Sequence, residues 1–219
     1  MAHLLHVDSS ALSSGSVSKE IAETFRKSWA AEHPDGTVTY RDLGSDPVPA
    51  LTETAIFGAF LPAEQRSPEQ AAAFALRDRL AGEFEQADAY LFTVPMYNWG
   101  IPGSFKSYLD QILIPRRTLI EEAPPQGGRP ATVILSYGGG YDPGAPKEGW
   151  DFVQPYLEKV LGTALGLDLK IIKTQLTLAE RVPAMESLIP MAKELRANAH
   201  EAADAHARKL AAAFATAAA

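Results

Sequence analysis

The sequence predicts an α/β fold, a doubly wound five-stranded parallel sheet with helices on both faces. Three observations lead there. Short apolar runs alternate with segments of helical periodicity along the chain, the pattern of a parallel sheet with crossover helices. Three of those runs empty into unusual loops, rich in Ser, in aromatics or in Gly, as strands do beside a ligand. The 219 residues, 46% hydrophobic and 21% charged, suit one core, and no repeat, long linker or second core interrupts them.

The elements follow in order. His3 to Val7 stops at Asp8-Ser9-Ser10 and reads as a buried first strand with a polar loop after it. Ile21, Phe25 and Trp29 stand four residues apart and give the first helix its inner face. Gly36 to Leu43 alternates as a second strand, and Asp46-Pro47 punctuates the loop beyond, which holds Phe57 and Phe60. Ser67-Pro68-Glu69-Gln70 is a helix start, with Ser as cap, Pro at the first position and Gln three residues on. Ala73, Leu76, Leu80 and Phe84 mark that helix's inner face, and Ala87 to Val94 forms the third strand, stopped by Pro95.

Phe105, Tyr108, Leu109 and Ile112 set another helix that Pro115 ends. The Pro- and Gly-rich stretch from Arg116 to Arg129 reads as a surface excursion, with Arg116, Arg117, Glu121 and Glu122 as solvated charges. Ala131 to Ser136 is the fourth strand, Trp150 to Leu165 a helix, and Leu167 to Leu176 the fifth strand. A terminal helical stripe runs from Ile189 to Phe214 through Leu195, Ala199, Ala203 and Leu210.

Composition excludes several function classes. With 20 Lys and Arg against 27 Asp and Glu, the net charge of −7 lacks the basic footprint of a nucleic-acid binder. No apolar window approaches the roughly 18 residues of a membrane span, and the N-terminal stretch is too short for a secretory signal. Without cysteine there is no disulfide, thiolate nucleophile or thiolate-held metal. A cytoplasmic globular protein without membrane contact is the expectation. His3 and His6 read as structural, His200 and His206 as solvated, and no His and carboxylate spacing suggests a metal. No G-x-S-x-G elbow or P-loop occurs.

The chemistry sits in the loops. Ser9 to Ser18 precedes a helix whose free N–H groups, dipole and serine hydroxyls suit a phosphate, although a serine there can serve only as a cap. Pro95-Met96-Tyr97-Asn98-Trp99-Gly100-Ile101-Pro102 joins flat side chains to an amide, as a planar heteroaromatic ring requires; a plain aromatic turn is the competing reading. Ser136-Tyr137-Gly138-Gly139-Gly140-Tyr141 lets backbone approach a ligand, yet does not fit G-x-G-x-x-G. All three follow strands and should share one sheet edge.

The second loop, between a strand and a helix, resembles the flavin loop of the FMN-dependent NADH:azoreductase and NAD(P)H:quinone oxidoreductase family. Ser9-Ser10 with Ser16-Val17-Ser18 resembles its phosphate loop, and Ser136 to Gly139 its second ring-edge loop. The resemblance covers nearly the whole chain in order and spacing. It implies a flavodoxin-like fold, a homodimer, bound FMN, NADH (or NADPH) as donor, and a small aromatic acceptor, a quinone or azo compound. Electrons would pass as a hydride through the flavin in ping-pong turnover, with no obligatory side-chain acid or base. The implied cofactor residues are Ser10, Ser16, Val17 and Ser18 at the phosphate, Met96, Tyr97, Asn98 and Trp99 along the isoalloxazine, and Ser136, Tyr137, Gly138 and Gly139 at its other side. Two positions depart from the family's common form: Val17 stands where Gln is common, and Tyr137 where Arg is common. Trp99 is the expected wall of the substrate pocket, and Phe57 and Phe60 are candidates to cover a partner's flavin. An electron-carrying flavodoxin and an FMN reductase that releases its flavin are the competing readings.

Overall fold

The computed structural model describes residues 2–120 and 122–217. Its five strands are β1 (His3–Asp8), β2 (Thr37–Asp42), β3 (Ala89–Pro95), β4 (Pro130–Ser136) and β5 (Asp168–Thr174). They pair in parallel in the order β2-β1-β3-β4-β5. The chain steps from β1 outward to β2 and then crosses to β3 on the other side. The order therefore reverses between β1 and β3, and a crevice opens at their carboxyl ends.

Period-2 alternation divides the apolar residues between two layers. On one face Leu4, Leu91 and Ile134 meet Ile21, Phe25 and Trp29 of α1 (Val17–Glu32) and Ala199, Ala203, Ala207 and Ala211 of α6 (Ile189–Ala217). On the other, Leu5, Val7, Tyr90, Phe92, Val133 and Leu135 meet α3 (Pro68–Gln86), α4 (Gly103–Ile112) and α5 (Gln154–Leu157). The four alanines at four-residue spacing present only methyl groups to α1, so the two helices approach closely. Their flank is polar: Ser28 donates to Asp204, His200 Nδ1 lies 2.8 Å from Thr24 Oγ1, and Arg208 reaches Glu32 at 3.2 Å. The His206 ring lies 6.2 Å from that of Phe25, tilted 47° to it, and burial pulls its pKa down. The expectation that His200 and His206 are solvated is thus corrected; both pack on α1. His3 and His6 are structural as expected: His3 Nε2 lies 2.8 Å from Thr39 Oγ1, and His6 is buried.

The Ser67–Gln70 capping box forms as expected, with Gln70 N donating to Ser67 Oγ at 3.2 Å and Ser67 N to Gln70 Oε1 at 3.0 Å. Three segments differ from expectation. Phe57 lies in a short helix, α2 (Glu53–Gly58), rather than in a loop. The stretch predicted as a helix from Trp150 is irregular up to Val153, and beyond Leu157 it widens into π geometry over Glu158–Ala164. The stretch predicted as an excursion is a pinned strap. Arg117 binds Glu85 and Asp78 at 2.7 and 2.6 Å, Gln126 is buried against the carbonyls of Thr118 and Leu165, and Arg129 donates to those of Glu85 and Ala87. Arg117 is therefore an anchor and not a solvated charge, while Glu121 lies outside the described residues.

Candidate functional site

A cleft of about 210 Å³ opens at the carboxyl edge. Its first wall is the loop between β1 and α1. Ser16 caps α1, its Oγ accepting from Lys19 N at 3.5 Å and lying 3.2 Å from Ser18 Oγ. The Val17 and Ser18 N–H groups head the helix and have no acceptor among the described residues. Gly15, at φ +67°, turns the chain into the cap. Ser10 is buried and its Oγ accepts from Leu12 N at 3.3 Å.

This loop is braced from behind. Asp8, 2% exposed, accepts from Thr93 and from the Tyr40 hydroxyl at 2.6 Å, and His6 Nε2 stands 3.2 Å away. Burial alone would raise the Asp8 carboxyl, but the imidazole and the two hydroxyls outweigh it and hold it below the ordinary range. Gly44 presses on the same loop so closely that a Cβ there would stand 2.2 Å from the Ser10 carbonyl oxygen.

The second wall follows β3. Met96 N donates to Ser136 O at 3.0 Å, and Tyr97 and Gly100 exchange backbone bonds at 3.0 Å each. Between them Asn98 and Trp99 both hold positive φ, +49° and +66°, as the central residues of a type I′ turn do. Asn tolerates that region and Trp is costly there, a strain found where a site over-determines the backbone. Trp99 projects from the protein, 38% exposed, edge-on to Trp150 with ring centroids 5.1 Å apart and with Lys147 Nζ 5.6 Å from its ring. Core packing is thereby excluded for Trp99.

Ser136 and Gly138 form the third wall. A fourth comes from the loop after β5, where Leu176 at φ +61° starts a turn carrying Thr177, Leu178 and Arg181 to the cleft. That turn is tied to the glycines by Leu176 N to Gly139 O at 3.3 Å and Leu178 N to Gly138 O at 3.2 Å. A Cβ on Gly138 would meet Leu178 Cδ1 at 2.7 Å, so with glycine there the Leu178 side chain lies directly on the backbone.

Seven of the twelve residues singled out in the sequence line this cleft: Ser10, Ser16, Val17, Met96, Tyr97, Ser136 and Gly138. Ser18 stands behind Ser16, while Asn98 and Trp99 lie in the turn. Gly139 faces a separate apolar cleft of about 580 Å³ with Met185, Leu188 and Met191. The Tyr137 side chain points away into the core, fully buried, its hydroxyl donating to both Asp151 carboxylate oxygens at 3.0 Å. Burial, then the Asp151 charge, pushes that phenol far up, so it stays a neutral donor. Leu12, Gly15 and the whole fourth loop were missed, although the rule that led to the other three, a loop at a strand's carboxyl end, applies equally to β5.

One end of the cleft thus gathers two serine hydroxyls, two open helix N–H groups and Arg181. The other offers Met96, Tyr97 and, beside it, the Asn98 N–H group, which has no acceptor among the described residues. A phosphate monoester on a planar ring system matches both ends.

Fold and cleft define a flavodoxin-like α/β protein. The family of that flavodoxin-like fold matches residues 2–186, and the chain belongs to it. Among named relatives, the FMN-dependent NADH:quinone oxidoreductase of Streptomyces avermitilis is 50% identical over 98% of this chain and 100% of its own. That of Streptomyces coelicolor is 45% identical, over 96% of each chain. Among solved structures, an azoreductase from Bacillus anthracis superposes with a TM-score of 0.80 at 23% identity, over 95% of this chain and 100% of its own. An FMN-dependent NADH-azoreductase from the same species, in complex with FMN, reaches 0.78 at 22%, over 95% of this chain and 99% of its own.

Proposed function

We infer that the protein is an FMN-dependent NADH:quinone oxidoreductase, able also to reduce aromatic azo compounds. The observation that carries this is 50% identity over the full length of a relative bearing that name, on a chain whose cleft matches FMN at both ends. When bound, the flavin supplies two-electron chemistry between NADH and the acceptor. The protein supplies position and field. Ser10, Ser16 and the Val17 and Ser18 N–H groups would hold the phosphate, and Met96, Tyr97, Ser136 and Gly138 would flank the ring. The Asn98 N–H group beside Tyr97 would stabilise negative charge at the edge of a ring bound there. Trp99 and Trp150 wall the acceptor's approach.

No acid or base among the side chains is required, and donor and acceptor use one place in turn. Parallel double-reciprocal plots at varied NADH and quinone test that order; intersecting lines overturn it. The whole chain acts as a single FMN-binding domain. Exposed Trp150, Phe152, Phe57 and Phe60 support a homodimer, in which a second copy covers them. NADH, a donor kept inside cells, supports a cytoplasmic setting. Flavin absorbance on adding FMN, with quinone-dependent NADH oxidation and no partner protein, is the expected result. NADH oxidation that needs a protein acceptor would favour the electron-carrier reading. Release of reduced FMN as product would favour the reductase.

A further inference from the structure

We propose that Arg181 is the cation that reads the flavin's terminal phosphate and makes this protein select FMN over riboflavin. The inference rests on the FMN reading and adds a residue to it. Arg181 is the one charged residue among those lining the cleft. It stands at the end where Ser10, Ser16 and Val17 meet, and Val17 brings no side-chain donor.

The guanidinium stands against the loop before α1: Nη2 lies 3.6 Å from where a Gly15 side chain would begin. No ion-pair partner holds Arg181 among the described residues. Its neighbour Glu180, the nearest competing anion in the chain, is turned to Lys193 at 3.7 Å. The turn bearing Arg181 is also set in advance. Arg181 N donates to Leu178 O at 2.9 Å, Val182 N to the same carbonyl at 3.0 Å, and Leu178 N to Gly138 O. An arginine so placed can face a phosphate monoester dianion with two N–H groups at once. Riboflavin ends in a hydroxyl and gains nothing from that charge.

The test is titration of the apoprotein with FMN and with riboflavin, read by flavin fluorescence, for the wild type, Arg181→Gln and Arg181→Lys. Arg181→Gln should weaken FMN about 10- to 100-fold, the range of a charge-assisted hydrogen bond, and leave riboflavin unchanged. Arg181→Lys should recover part of the loss, and raised salt should narrow the FMN gap between wild type and Arg181→Gln. Equal FMN affinity in wild type and Arg181→Gln overturns the proposal. So does a parallel loss of both flavins, which marks Arg181 as merely structural. Wild-type protein that binds neither flavin overturns the FMN reading itself, a distinct outcome.

Discussion

Tyr97 joins two walls of the cleft: its hydroxyl accepts a hydrogen bond from the Ala11 backbone N–H at 3.0 Å and lies 3.4 Å from Ser10 Oγ. Residues 86 apart in sequence are thereby held as one surface. Tyr97→Phe keeps the ring and removes the link, which is worth about 1 kcal/mol. The apoprotein should melt about 2–4 °C lower, and FMN should bind about 5-fold more weakly. An unaltered FMN affinity would show that the loops do not need this tie.

Gly44 has no room for a methyl group. In Gly44→Ala the new Cβ, 2.2 Å from the Ser10 carbonyl oxygen, must displace that loop. We expect a loss of about 1–3 kcal/mol in stability from the clash, together with weaker FMN binding. Denaturant unfolding and a flavin titration measure the two effects; a variant as stable and as avid as wild type contradicts the geometry.

Asn98 tests the turn. Asn98→Gly should be neutral or slightly stabilising, because glycine adopts positive φ freely. Asn98→Val should cost about 1–2 kcal/mol, since a β-branched residue resists it. In thermal melts Asn98→Val should therefore fall below wild type while Asn98→Gly does not; an equal drop in both contradicts the turn's role.

Asp8 sets an acid limit. Its folded pKa is depressed below the unfolded 3.8, so its contribution is full above that value and drains away as pH falls through the lower folded one. Asp8→Asn should melt below wild type at pH 7. The gap should narrow as pH drops beneath about 4. A constant gap across that window would remove the carboxylate's charge from the account.

Tyr137 is expected to be structural in its side chain. Asp151, which it bonds, also accepts from Val153 N at 3.0 Å and Gln154 N at 3.1 Å and so caps the start of α5. Tyr137→Phe should lose about 1 kcal/mol of stability with FMN affinity unchanged; a changed affinity would return the phenol to the site.

Much of this was legible in sequence, for reasons that can be named. The strands announce themselves because a parallel sheet buries both faces, which leaves unbroken runs such as Leu4 to Val7. The Ser67 cap and the Ile21, Phe25, Trp29 stripe are local signals. The inward turn of the Tyr137 ring was missed although periodicity held the answer: Val133 and Leu135 of β4 and Tyr137, just past its end, share one core layer with Leu157 of α5. Counting by twos from the strand would have sent the ring inward. The six residues of α2 are too few to show a stripe. The π segment after Leu157 depends on how the helix meets β5, which no local pattern records. Arg117 read as a solvated charge because its partners, Asp78 and Glu85, lie far back in the chain on α3.

The cleft draws its walls from residues as far apart as Ser10 and Arg181. No fragment ending before the last strand can therefore hold the ligand, and cofactor loading must wait until almost the entire chain has left the ribosome and closed. Any global opening of the sheet must conversely release the flavin. Free FMN should then set the protein's resistance to heat and proteases by mass action, so flavin supply doubles as control over how long each molecule survives.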